Sequence, residues 1–166
     1  ERHDLVVLAD EVYGELVYPA DDAEVEKLTG FASFPRHRDR VLLLNGFSKA
    51  WAMTGYRLGF AAGPEDIVDA MMKIHQYGIM SAPTNSQYAA IEALKNGDED
   101  IRMMVEEYDR RRRYIYAGLA KLGIECFEPE GAFYIYPNVG KFGLSSEEFC
   151  ERLLFEHKCA IVPGTA

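Results

Sequence analysis

Apolar and polar positions alternate along the chain in two rhythms. Leu5-Val6-Val7-Leu8-Ala9 is apolar at consecutive positions and ends in Asp10-Glu11, the pattern of a strand covered on both faces in a parallel sheet. Val41-Leu42-Leu43-Leu44 repeats it and ends in Asn45-Gly46, and Leu58 to Ala62 is a third strand, closed by the turn pair Gly63-Pro64. Pro19 to Arg40 has little periodicity and reads as a loop with a helical turn or two. Helical spacing then takes over. Ile67, Met71 and Ile74 form one stripe within Glu65 to Tyr77. Tyr88, Ile91 and Leu94 form another in a segment opened by Pro83 and stopped by Gly97. Asp98 to Leu122 carries Ile101, Val105, Tyr108, Ile115, Leu119 and Leu122, and as a helix would run on the order of 35 Å. Gly123 ends it. Strand-like Ile124–Phe127 and Phe133–Tyr136 follow, then a helix from about Ser146 to Lys158 with a Ser145/Glu148 capping box, and a short strand Ala160–Val162. This order predicts an α/β layer first and a smaller α+β unit entered through the long helix.

Composition narrows the function. The 166 residues carry 18 basic and 27 acidic side chains, a net charge of −9 with a pI near 4.9, which argues against a nucleic-acid binder. With 48% hydrophobic residues, disorder as the overall state is excluded. No apolar run approaches the ~20 residues needed to span a bilayer, so no membrane partner is expected. Glu1-Arg2-His3-Asp4 does not read as a signal peptide. Cys126, Cys150 and Cys159 are odd in number, lack CxxC spacing and read as small hydrophobes in a reduced, cytoplasmic protein. His3, His37, His75 and His157 show no metal spacing, so no metal site is expected. Neither a P-loop nor a dinucleotide-type glycine loop is present. Both ends read as cut, as in a piece of a longer protein.

In open α/β sheets, ligands sit beyond the carboxyl ends of the strands. Here those ends deliver Asp10 and, shortly after Leu44, Lys49. A strand-end Asp alone is more often a turn residue, and a Lys alone a solvated one. Their neighbours change that reading. Asn45-Gly-Phe-Ser48-Lys49-Ala-Trp-Ala-Met-Thr-Gly55-Tyr56-Arg57-Leu-Gly59 resembles the pyridoxal-phosphate lysine signature of the class I/II aminotransferases, Ser-Lys followed by Gly-x-Arg-x-Gly. Asp10-Glu11-Val12-Tyr13 is similar to the family's aspartate–tyrosine element. Glu130-Gly-Ala-Phe-Tyr134 and Val162-Pro-Gly-Thr165 resemble its small-domain landmarks. The elements occur in family order over essentially the whole chain.

The resemblance implies the carboxyl-terminal portion of a fold type I enzyme. Residues 1–115 would be the remainder of the cofactor-binding large domain, a mainly parallel sheet with helices, and residues 116–166 part of a smaller α+β domain. It implies pyridoxal 5'-phosphate as cofactor, and an amino acid and a 2-oxo acid as substrates. It also implies a homodimer in the full-length protein, with the fragment alone inactive. Lys49 would be both the Schiff-base lysine and the general acid/base; a lysine that attacks an aldehyde must be unprotonated, which calls for burial or cationic neighbours. Asp10 would hold the cofactor's pyridine nitrogen protonated, and Tyr13 would donate to its ring oxygen. Arg57 and Ser48 would hold its phosphate. Many relatives carry a second serine where this chain has Gly46, so one phosphate contact is lost or made by a backbone N–H. Two rivals share these residues: a related carbon–sulfur β-lyase, and an aminotransferase-like binding module of a transcription regulator.

Other features have plainer readings. Gly46 and Gly59 allow close backbone approach. Trp51, Met53 and Tyr56 read as core before cofactor box, and Phe133-Tyr134 reads equally as pocket lining or as a plain strand. Ser81 to Asn85 reads as a loop and helix start rather than a reach into a partner's phosphate site. Arg110–Arg113, with Glu106, Glu107 and Asp109 nearby, reads as an ion-paired helix surface.

Overall fold

A computed structural model describes residues 3–18 and 30–166; residues 19–29 of the expected loop lie outside the described residues. Three strands form one sheet in the order β1 (Val7–Asp10), β2 (Val41–Gly46), β3 (Gly59–Ala62). β1 and β2 are parallel, with Val7 opposite Val41 and Asp10 opposite Leu44. At the other end of this pair, Arg40 hydrogen-bonds Asp4, and that bond with the guanidinium charge holds the Asp4 carboxyl below its usual range.

β3 departs from the expected mainly parallel sheet, because it runs antiparallel to β2. The reason is the length of the connection. Only the short helix α1 (Phe47–Ala50) and a single turn at Thr54–Tyr56 separate the two strands. That leaves no crossover helix long enough to return the chain to the far end of the sheet. Coverage also differs from expectation: along β1, Ala9 is 6% exposed but Leu8 is 67% exposed, so one face of that strand is open.

The long helices form where expected: α2 (Glu65–Gly78), α3 (Thr84–Asn96), α4 (Asp98–Lys121) and α5 (Ser146–His157). Pro83 and Gly97 bracket α3, and Gly123, at φ +63°, follows the end of α4. The Ser145/Glu148 capping box on α5 is complete. The stripes are another matter. Tyr88, Ile91 and Leu94 of α3 are exposed, and α2 buries no residue, with Ile74 77% exposed. α3 instead packs through small side chains: Ala90 joins Phe47 and Met53 in the core, and Trp51, Leu58, Ala89 and Ala93 pack around them.

The chain divides into two compact units, Glu1–Tyr108 with Glu130–Ala132, and Asp109–Pro129 with Phe133–Ala166. In the second, the expected strands at Ile124–Phe127, Phe133–Tyr136 and Ala160–Val162 do not form. An isolated bridge pairs Cys126 with Pro137, and 160–162 is irregular. Alternating apolar residues become a strand only where a partner backbone takes up the ladder bonds. Cys126 and Cys150 are half-buried, whereas Cys159 is exposed and does not pack as a small hydrophobe. Among the described residues no helix is long and apolar enough to cross a membrane.

Candidate active site

The sheet register brings the motif residues to one edge. Parallel pairing of Asp10 with Leu44 sets the carboxyl ends of β1 and β2 side by side, and Glu11 N–H adds a further rung to the Leu44 carbonyl at 2.9 Å. Antiparallel pairing of Gly46 with Gly59 brings the start of β3 to the same end. Asp10 and Tyr13 after β1, Ser48 and Lys49 after β2, and Arg57 before β3 therefore share that edge.

Each is held by local structure. An Asp10 carboxylate oxygen accepts the Val12 N–H at 3.3 Å, opening a turn that Gly14 N–H closes on the Glu11 carbonyl at 2.8 Å. This turn presents Tyr13, whose ring centroid lies 5.4 Å from Lys49 Nζ, within cation–π range. On α1, Phe47 and Ala50 sit three residues apart and are buried, which leaves Ser48 and Lys49 half-buried on the other side. The helix is fastened from behind. Trp51 lies 5.0 Å from the Phe47 ring and donates its indole N–H to the Ala93 carbonyl at 3.1 Å.

Arg57 adopts φ 52°, ψ 45°, the left-handed region, which costs a side-chain-bearing residue roughly 1–2 kcal/mol. Both flanking carbonyls are occupied. Tyr56 O accepts the Ser86 hydroxyl at 2.7 Å and Leu58 O accepts Phe47 N–H at 3.2 Å. The exposed guanidinium donates to the Thr54 carbonyl at 2.9 Å. Gly46 and Gly59 make the close approach read from the sequence: a Cβ on Gly59 would lie 3.0 Å from Asn45 O, and one on Gly46 3.3 Å from Leu58 O.

The structure thus brings Lys49 and Tyr13 into contact and sets Asp10, Ser48 and Arg57 at the same edge. Met53 is core and Trp51 packs on it, but Tyr56 is exposed and not core. Ser81 to Asn85 is the loop and start of α3, with Gln87 Nε2 donating to Ala82 O at 2.8 Å. Phe133 and Tyr134 are exposed, their rings 4.9 Å apart. Arg112 ion-pairs with Asp109 and Glu128, each at 2.7 Å, and Arg113 with Asp109 at 2.8 Å, so these two members of the arginine run are ion-paired as expected. Arg112 is more buried than a solvated surface would have it, at 8% side-chain exposure. Among the described residues no group of three or more potential metal ligands converges. An open apolar cavity of about 470 Å³, lined by Trp51, Met53, Ala93, Gly97 and Met103, borders none of the motif residues at the edge.

Two residues escaped the sequence reading. The Glu11 carboxylate accepts Phe31 N–H at 3.2 Å, tying the following loop to the turn beside Asp10. Ser86 holds the Tyr56 carbonyl. A signal for Ser86 existed: Ser86, Ala89, Ala90 and Ala93 form a small-residue face at helical spacing, with a single hydroxyl on it.

The family model for "Aminotransferase class I and II" matches residues 1–166. A putative aminotransferase, YugH, of Bacillus subtilis is 48% identical over 99% of this chain, and an aspartate aminotransferase of Pyrococcus abyssi 43% identical over 99%. The chain spans 41% and 42% of those relatives' lengths. The crystal structure of an aromatic aminotransferase from Pyrococcus horikoshii superposes with a TM-score of 0.89 at 42% identity, covering 99% of this chain and 43% of that one. The structural neighbours are fold type I, consistent with the α/β class. Neither the lyase nor the regulator-module reading is favoured by these relatives. One expectation is overturned: the matched stretch is not the relatives' carboxyl-terminal portion. Motif order ranks elements along a chain but carries no measure of how much follows them. The chain belongs to the class I and II aminotransferases.

Proposed function

We propose that the full-length protein carrying this chain is a pyridoxal-phosphate-dependent aminotransferase that moves an amino group between an amino acid and a 2-oxo acid. The observation that carries this reading is Lys49 Nζ standing 5.4 Å over the Tyr13 ring, at the edge where β1 delivers Asp10. The family uses pyridoxal 5'-phosphate, and the donor set fits that group. A primary amine, a carboxylate, a phenol, a hydroxyl and a guanidinium share one edge, as an aldehyde, a pyridine nitrogen, a ring oxygen and a phosphate require. When bound, the cofactor supplies an electron sink for charge that develops at the substrate α-carbon.

The chain's residues supply the rest. Lys49 Nζ anchors the cofactor and then holds and moves the proton at the substrate α-carbon. The Asp10 carboxylate keeps a proton on the pyridine nitrogen. The Tyr13 hydroxyl donates to the ring oxygen. Ser48 and Arg57 grip the phosphate, where a planar fork suits the oxyanion better than a point charge. Residues 1–115 belong to the cofactor-binding large domain and 116–166 to a smaller α+β domain; the parting of compact units after Tyr108 supports that division. A homodimer in the cytoplasm completes the proposal.

The test is borohydride reduction of the full-length protein loaded with cofactor, followed by peptide mapping. The pyridoxyl label is expected on Lys49. A label on Lys73 or Lys95 would overturn the reading.

A further inference from the structure

Ser86 is a buried polar residue, at 3% exposure. A serine within a helix commonly turns its hydroxyl back to the carbonyl four residues earlier. Here that carbonyl, Ala82 O, accepts Gln87 Nε2, and the Ser86 hydroxyl donates across thirty positions of sequence to Tyr56 O. The receiving peptide is special. Tyr56 ends a single turn, and the next residue, Arg57, holds a positive φ that side-chain-bearing residues avoid. With Leu58 O taken by Phe47 N–H, the Ser86 bond closes the other side of that residue. Such a conformation persists only where its surroundings over-determine it.

We infer that Ser86 is a positioning residue that sets the aim of the Arg57 guanidinium, and through it the protein's grip on a phosphate monoester. The inference rests on the reading of Arg57 as a phosphate ligand. Its chemistry is specific. The Ser86 hydroxyl donates to the backbone directly preceding Arg57, so its loss is expected to weaken the part of binding that depends on phosphate.

The experiment compares the affinity of the full-length apoprotein for pyridoxal phosphate and for pyridoxal, which lacks the phosphate, by fluorescence titration. Ser86→Ala is expected to raise the dissociation constant for pyridoxal phosphate about fivefold to tenfold, the size of one lost hydrogen bond. Pyridoxal affinity is expected to stay within about twofold. In an Arg57→Ala background, Ser86→Ala is expected to add nothing further. Ser86→Thr, which keeps the donor, is the rescue and is expected to bind both ligands as wild type does. Equal loss for both ligands, loss that multiplies with Arg57→Ala, or no loss would overturn the positioning role. Failure of Ser86→Ala to fold, or a phosphate-selective loss in Ser86→Thr, would do so as well. Arg57→Ala binding pyridoxal phosphate as tightly as wild type would instead overturn the reading of Arg57 itself, and the inference with it.

Discussion

The Lys49 neighbourhood and the second unit reach order by opposite routes. Around Lys49, the defining contacts join residues far apart in sequence: Asp10 with Leu44, Trp51 with Ala93, Tyr56 with Ser86. Every buried residue among the described ones belongs to the first unit. In the second, longer-range bonds such as Arg112 to Glu128 stand beside a set of contacts made within one helical turn. Arg113 pairs with Asp109 and Arg152 with Glu156 one helical turn away, Ser145 and Glu148 cap α5, and Lys158 ends that helix in the left-handed region. The first route fixes side chains from several strands against one another, as chemistry requires. The second makes helices without fixing a site.

Two substitutions two residues apart on one short helix test the first route most severely. Lys49→Ala in the full-length enzyme should lower kcat by about 10³-fold or more, the loss of covalent anchor and proton carrier together. Its midpoint of urea unfolding should barely move, because Lys49 lies outside the Phe47–Met53–Ala90 core. Phe47→Ala should do the reverse in kind, costing about 3–5 kcal/mol of stability through a cavity beneath α1. If Lys49→Ala destabilised as much as Phe47→Ala, packing and chemistry would not be separable there.

The same division explains what could be read in advance. Helices α2 to α5 were legible because their signals are local: Pro83 and Gly97 around α3, Gly123 after α4, Ser145 with Glu148 on α5. The motif residues were legible because Ser48-Lys49 and Arg57 lie within one short segment. Which face of a helix is buried is a tertiary matter. Tyr88, Ile91 and Leu94 have the right spacing, yet α3 turns Ser86 and Ala90 inward, because α1 and its turn lie close against that side. Strands failed for the same reason. Phe133–Tyr136 alternates correctly but has no ladder to join, and the direction of β3 depended on a connection whose brevity decides it.

Asp109 tests the second route at an intermediate magnitude. Burial raises its carboxyl pKa, but hydrogen bonds from Arg112 and Arg113 and their charges outweigh burial and hold it below the ordinary value of 3.8. A carboxyl depressed in the folded state contributes stability above its unfolded pKa and loses it as pH falls through the folded one. Asp109→Asn should therefore cost about 1–2 kcal/mol at pH 7, discounted from a fully buried pair because Asp109 keeps some solvent contact. Below about pH 4 the gap to wild type should narrow. Urea melts of the full-length protein at pH 7 and pH 3 measure both, and a gap of unchanged size would show that the pair is not what the mutation removes.

The smallest effect belongs to the α5 cap, and it isolates the local route most cleanly. The Ser145 hydroxyl accepts Glu148 N–H at 3.2 Å, and the Glu148 carboxylate accepts Ser145 N–H at 2.9 Å. That backbone bond, then the bond with the Ser145 hydroxyl, hold the Glu148 carboxyl below its usual range. Ser145→Ala leaves the Glu148 N–H without its acceptor and should lower stability by about 1 kcal/mol. Glu148→Gln keeps an acceptor at the same position and should leave stability near wild type. Because the cap's hydrogen bonds lie within α5 and the Phe47 core belongs to the other compact unit, the losses from Ser145→Ala and Phe47→Ala should add within about 0.5 kcal/mol in the double variant. Urea unfolding of the four proteins closes that cycle. A coupling well above that figure would mean that α5 is held by the first unit's packing rather than by its own cap, and the contrast between the two routes would fail.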